Sequence, residues 1–170
     1  MAVFLIAGVG VLVGFFLIAL MGSRPSDAPL NAEGVPAPEH AWMGSMGAED
    51  FGKLLSLLFA ELKFDVEKAD VREEAVDLFA VNPTPITGGR IYVRGVYRPP
   101  LGMVGEEEIR IALETARAEM AGKAVVATPF SFTPEARAAA SGAPIDLLDG
   151  AQILKLLKKH LPPIAVARKV

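Results

Sequence analysis

Lys123-Ala-Val-Val-Ala-Thr-Pro-Phe-Ser-Phe-Thr-Pro-Glu-Ala-Arg137, resumed after an Ala/Ser/Gly turn by Ile145-Asp-Leu-Leu-Asp-Gly150, is the stretch that decides the fold class. Lys123 to Thr128 is a short apolar run closed by Thr-Pro, which marks a buried strand. Thr133-Pro134-Glu135 offers a capping hydroxyl, a proline at the first helical position and an acid in the first turn, so Thr133 to Ala140 begins a helix. Ile145 to Leu148 is apolar again. Asp149 then stands where it can cap a last helix, Gly150 to Leu161, which Pro162-Pro163 ends. Strand, helix, strand, helix in succession is the order that parallel crossovers require.

Upstream the pattern changes. Gly105 to Ala121 reads as a helix, with Glu106, Glu107 and Glu108 where a helix N-terminus favours negative charge and Ile109, Ala112, Leu113 and Ala116 as its apolar stripe. Before it, Phe64 to Ala69, Ala75 to Val81 and Arg90 to Tyr97 read as three strands. Asn82-Pro83-Thr84-Pro85 and Gly88-Gly89 separate the second from the third, and Pro99-Pro100 stops the third. Ala48 to Leu62 opens the domain as an amphipathic helix, with Phe51, Leu54, Leu55, Leu58 and Leu62 at helical spacing. The expected fold is an α/β sandwich, a mixed sheet flanked by helices with antiparallel pairing first and parallel crossovers later. No internal repeat is visible.

The N-terminus has a different composition. Ala2 to Met21, AVFLIAGVGVLVGFFLIALM, carries no charge or amide, and as a helix it is roughly 30 Å long, enough to span a bilayer. No basic residue precedes it, which argues against a cleaved signal peptide. Arg24, partly offset by Asp27, follows it and places the C-terminal bulk on the cytoplasmic side of the inner membrane. Gly10 and Gly14 have the spacing that lets two such helices approach and form a homodimer. Gly22 to Gly47 is rich in Pro and Gly and reads as a tether whose flexible reach is about 28 Å. Trp42 and the methionines beside it are expected to dock on the domain, and His40 to be exposed. The expected organisation is a transmembrane helix over 1–21, a linker over 22–47, the folded domain over 48–161 and a tail over 162–170.

Lys plus Arg number 17 against 20 Asp plus Glu, for a net charge of −3, so no overall basic excess advertises a nucleic-acid partner. The absence of cysteine removes disulfides, thiolate nucleophiles and Cys-bound zinc. Lys155, Lys158, Lys159 and His160 complement the dipole at the end of the last helix, with a phosphate-binding patch as the alternative. No phosphate loop, histidine pair at metal spacing or Ser-His-Asp set occurs. The one unusual charge is Asp77, in the otherwise apolar Ala75-Val-Asp-Leu-Phe-Ala-Val81, where a carboxylate needs a partner or a metal unless it faces solvent at an edge.

From Ala48 to Leu161 the sequence resembles the Mrr-type restriction endonuclease-like domain, of the PD-(D/E)xK nuclease fold. The resemblance is firmest over Ala124 to Arg137 and Ile145 to Gly150, and extends to the helix at Asp50 and the strand Val76-Asp77-Leu78. It implies DNA phosphodiester hydrolysis with Mg²⁺, held by an aspartate on the second strand and a Glu or Gln on the third, with a lysine two residues later assisting water. It also implies a glutamate on the first helix. Asp77 fills the aspartate position, as catalytic residue and metal ligand. The other positions depart from the pattern: Arg94 stands for the Gln, Val96 for the lysine, and Phe51-Gly52 for Phe-Glu. Strand parity directs Tyr92, Arg94 and Val96 to one face. A guanidinium beside Asp77 would neutralise it and repel Mg²⁺, so the expectation is a pseudo-nuclease in which an Asp77 to Arg94 ion pair has replaced the metal. Such a chain would act by DNA binding or protein contact. Two alternatives remain open: an active Mg²⁺-dependent endonuclease with a site rearranged around Glu67, Lys68, Glu73 and Glu74, or a structural assembly protein of the envelope.

Overall fold

The computed structural model describes residues 40–85, 88–97 and 102–167. In chain order its elements are α1 (Ala41–Gly44), α2 (Ala48–Glu61), β1 (Asp65–Val71), β2 (Ala75–Asn82), β3 (Gly89–Val96), β4 (Met103–Val104), α3 (Glu106–Ala118), β5 (Lys123–Ala127), β6 (Ser131–Phe132), α4 (Pro134–Ala140), β7 (Ile145–Leu148), α5 (Gly150–His160) and α6 (Pro162–Ala167).

The apolar runs make the centre of a five-stranded sheet, ordered β1-β2-β3-β5-β7. β2 and β3 pair antiparallel without a break, from Ala75 opposite Val96 to Asn82 opposite Gly89. β5 joins β3 in parallel and β7 joins β5 in parallel, so the sheet changes from antiparallel to parallel at β3, as the sequence pattern predicts. β1 is an edge strand, mostly exposed, and a register shift between Val66 and Lys68 bends it. A bulge and charged side chains on an edge both discourage further strand pairing.

Two layers of helix cover the sheet. On one face Leu55 and Leu58 of α2 and Ile153 and Leu157 of α5 pack on Val76, Leu78, Val93 and Val125. On the other, Ile109, Ala112 and Ala116 of α3 and Ala136 of α4 pack on Phe79, Tyr92, Val96 and Val126. Each fully buried Leu or Ile contributes about 1.5–3 kcal/mol relative to exposure. α2 approaches β3 closely at Gly95, where a Cβ would lie 2.8 Å from Leu55 Cδ1 and the buried leucine would have to shift.

Helix starts follow local chemistry. Thr133 Oγ1 accepts from Ala136 N at 3.1 Å to start α4. Asp149 and Gln152 form a reciprocal capping box at α5, with bonds of 2.9 and 3.0 Å. β4 and β6 form a small parallel ladder of their own that periodicity does not reveal, because two residues are too few to show a period.

Three expectations need correction. Residues 40–47 belong to the folded unit and not to a linker, since Met43 is fully buried and Met46 nearly so, and Trp42 packs on the same core. His40 is buried, only 9% exposed, and sits against α5: a Cβ at Gly150 would come within 2.8 Å of His40 Cδ2. Pro162 and Pro163 start a helix as well as ending one, and Ile164 of α6 packs on the core. The expected membrane span, its Gly10 and Gly14 face and the rest of the tether lie outside the described residues. Among the described residues no helix is long and apolar enough to cross a membrane.

Candidate functional site

Asp77 sits in the middle of a strand buried along most of its length and is 7% exposed. Alternation turns Val76, Leu78 and Ala80 toward the α2/α5 layer, and Phe79, on the same parity as Asp77, toward the α3/α4 layer. A carboxylate placed there loses most of its hydration and must be compensated by hydrogen bonds and opposite charge.

The compensation comes mainly from β3. Tyr92 Oη donates to Asp77 Oδ1 at 2.5 Å, and Arg94 Nη1 donates to the same oxygen at 3.0 Å. Arg94 is the direct register partner of Asp77 across the ladder. Arg94 Nε in turn donates to Glu108 Oε2 at 2.7 Å. Glu108 lies in the first turn of α3 and is 2% exposed. One guanidinium thus bridges two buried carboxylates. At the solvent edge Arg72 Nη2 approaches Asp77 Oδ2 and Asp70 Oδ2, each at 3.6 Å.

The electrostatics follow from burial. Loss of hydration, with the hydrogen bond to the Asp77 carboxylate, pushes the Tyr92 hydroxyl up to about 12. Burial works against the charge on Arg94, but its contacts with Glu108 and Tyr92 outweigh it and hold the guanidinium above its already high ordinary value. Arg94 is therefore a permanent cation between Asp77 and Glu108.

The positions that stand for the lysine and the first-helix glutamate offer no charge. Val96 is buried among Phe79, Tyr92 and Ile109, with no amine near Asp77 from that position. Gly52 carries no side chain, and a Cβ there would lie 3.0 Å from Val76 Cγ1, on the α2 side of the sheet. Glu67 pairs with Arg90 at 3.2 Å on the exposed edge, Lys68 lies on that same edge strand, and Glu73 and Glu74 occupy the β1–β2 turn. Among the described residues no group of three or more Asp, Glu or His side chains is arranged to hold a metal.

Glu108 is the member of the cluster that the sequence reading did not select. Its acidic neighbours made it look like ordinary helix N-terminal chemistry. The available signal was its position one turn before Ala112 on the apolar stripe, which turns it inward while Glu106 and Glu107 face solvent. Tyr92 shares the face that strand parity gives Arg94, and its hydroxyl finds its partner in Asp77.

The family model Mrr_cat, described as restriction endonuclease, matches residues 43–157. Among solved structures, the DNA modification-dependent restriction endonuclease AspBHI is similar with a TM-score of 0.56 and 16% identity, over 86% of this chain and 43% of that one. The MspJI restriction endonuclease in complex with a 27-mer oligonucleotide is similar with a TM-score of 0.47 and 13% identity, over 85% of this chain and 39% of that one. The present chain spans less than half the length of either. The likeness to AspBHI is one of fold. Comparison with curated proteins found no match.

Proposed function

Because the chain belongs to the Mrr-type restriction endonuclease family, we propose that it is a non-hydrolytic member, tethered to the cytoplasmic membrane by Ala2 to Met21, in which the Arg94 guanidinium takes the place of Mg²⁺. The observation that carries this reading is the double contact of Arg94 with Asp77 and Glu108, at 3.0 and 2.7 Å.

Mg²⁺ needs near-octahedral oxygen ligation, usually from one or two carboxylates with waters completing the shell. Here Asp77 Oδ1 and Glu108 Oε2 already face a fixed positive charge. A second cation beside it would meet repulsion in a site too dry to screen it. The residues present do not fit Mg²⁺, and Val96 supplies no amine to assist an attacking water.

The retained fold then serves binding. DNA is the ligand for this module, in keeping with the family and with AspBHI, by name a DNA modification-dependent endonuclease. The test uses the full chain in detergent with supercoiled plasmid and Mg²⁺ or Mn²⁺, beside an Asp77→Ala control and a low-salt gel-shift lane. The expected result is intact plasmid and a retarded band that salt abolishes. Nicking that depends on Asp77 would contradict the proposal.

One observation favours protein contact as a second reading. Of the 17 basic side chains, five lie in residues 150–170, where none of the 20 acids occurs, so the rest of the chain is strongly acidic. No retardation at any salt would select that reading.

A further inference from the structure

The segregated charge in residues 150–170 has a definite place in the fold. Lys155, Lys158 and Lys159 stand three and four residues apart, so they share one face of α5, and all three are exposed. Arg168 and Lys169 follow α6 in the sequence. α5 packs on the sheet face opposite the Asp77 to Arg94 cluster, because Ile153 and Leu157 join the α2 core while Tyr92 and Val96 join the α3 core. A nucleic acid lying along the Asp77 face would not meet these lysines.

The chain leading from the apolar N-terminus enters on the lysine side. Met43 and Met46 are buried in the α2/α5 core, Trp42 packs against it, and His40 lies against Gly150 at the start of α5. The first turn of α2 would oppose an anionic surface, but Lys53 sits 2.8 Å from Glu49 and 3.6 Å from Asp50 and offsets half of their charge.

We infer that the α5/α6 edge of the domain rests on the bilayer, with Lys155, Lys158 and Lys159 contacting anionic phospholipid headgroups, so that the Asp77 face is turned away from the membrane. Three observations support it: a basic segment free of acids, its position on the layer that receives the tether, and its position opposite the nuclease-fold site. The inference rests on the tether proposed above. A basic cluster held near a bilayer by a covalent anchor gains affinity for anionic lipid with each lysine, and the attraction fades beyond a Debye length.

The chain has no cysteine, so one introduced thiol is unique. The experiment places the full chain in nanodiscs of phosphatidylcholine alone or with phosphatidylglycerol, plus a headgroup spin-labelled lipid as quencher. A fluorophore is attached at Pro163→Cys, an exposed position at the start of α6, or at Met120→Cys, which is 86% exposed at the end of α3 on the other layer. The expected result is quenching at position 163 that requires phosphatidylglycerol, is lost at high salt and is absent at 120. Lys155→Gln, Lys158→Gln and Lys159→Gln together should abolish it, while the three Lys→Arg changes should keep it and show that charge, not local packing, is responsible.

Equal quenching in neutral and anionic discs, or no effect of the Gln variant, would overturn the inference. A label at 163 that responds to a duplex oligonucleotide but not to phosphatidylglycerol would overturn it in favour of a nucleic-acid contact. A chain that does not stay with the discs on size exclusion refutes the tether and this inference with it. A retained chain without lipid dependence refutes only the lipid contact.

Discussion

Arg94 Nη1 lies 3.0 Å from Asp77 Oδ1, directly across the β2–β3 ladder, and the same guanidinium reaches Glu108 on α3 at 2.7 Å. The contact joins the sheet to the helix that covers it. Its effect on stability is the opposite of what a metal site would show, because clustered carboxylates awaiting a cation repel one another, whereas these share the Arg94 guanidinium.

Asp77→Asn is therefore expected to destabilise the domain. It leaves Arg94, only 11% exposed, short of one carboxylate. Breaking a buried pair typically costs about 3–5 kcal/mol, and because Glu108 remains, the lower end applies. Denaturant midpoints of the two proteins measure it. An unchanged or raised midpoint would point to a repulsive acidic pocket instead.

Glu108→Gln and Glu107→Gln should behave differently despite being neighbours. Glu108 is buried against Arg94, while Glu107 pairs with Arg110 on the exposed face of α3. The first change should cost about 2–4 kcal/mol and the second less than about 1 kcal/mol. The same denaturation experiment separates them.

Tyr92 holds its proton more tightly in the fold, up to about 12 against 10.0 for an ordinary tyrosine. Its folded value is raised, so the stability it contributes is complete below pH 10 and is lost as pH rises from 10 toward 12. Tyrosinate absorbance at high pH should show a late step that Tyr92→Phe removes. Loss of that hydroxyl from Asp77 should also lower stability by about 1–2 kcal/mol at neutral pH.

Met43 checks where the domain begins. It is fully buried beside α2 and α5, so Met43→Ala should cost about 2–5 kcal/mol as other large-to-small core changes do. A change on an undocked linker would cost nothing measurable by thermal melting.

Much of the architecture was legible because it rests on long periodic segments. The strands at Asp77 and Arg94, the α2 stripe and the Thr133 and Asp149 caps each carry a local signal that agrees with the fold. Asp77 stood out because a charge in an apolar strand must be compensated, and Arg94 because strand parity put it on the same face. Glu108 was hidden, since whether the third acid of a triple-Glu helix start faces in or out depends on how α3 sits on the sheet, a tertiary fact. Residues 40–47 were hidden for a related reason: proline-rich composition before them resembles a tether, and the burial of Met43 depends on a core built from α2 and α5 far along the chain.

The central claim, that Arg94 occupies the place of the metal, is tested most directly by titrating the full chain with Mn²⁺ and reading the free ion by electron paramagnetic resonance. The account predicts no Asp77-dependent loss of free Mn²⁺ at low millimolar concentration, the wild-type chain and Asp77→Asn giving the same curve. Stoichiometric uptake by the wild-type chain that Asp77→Asn abolishes would contradict it.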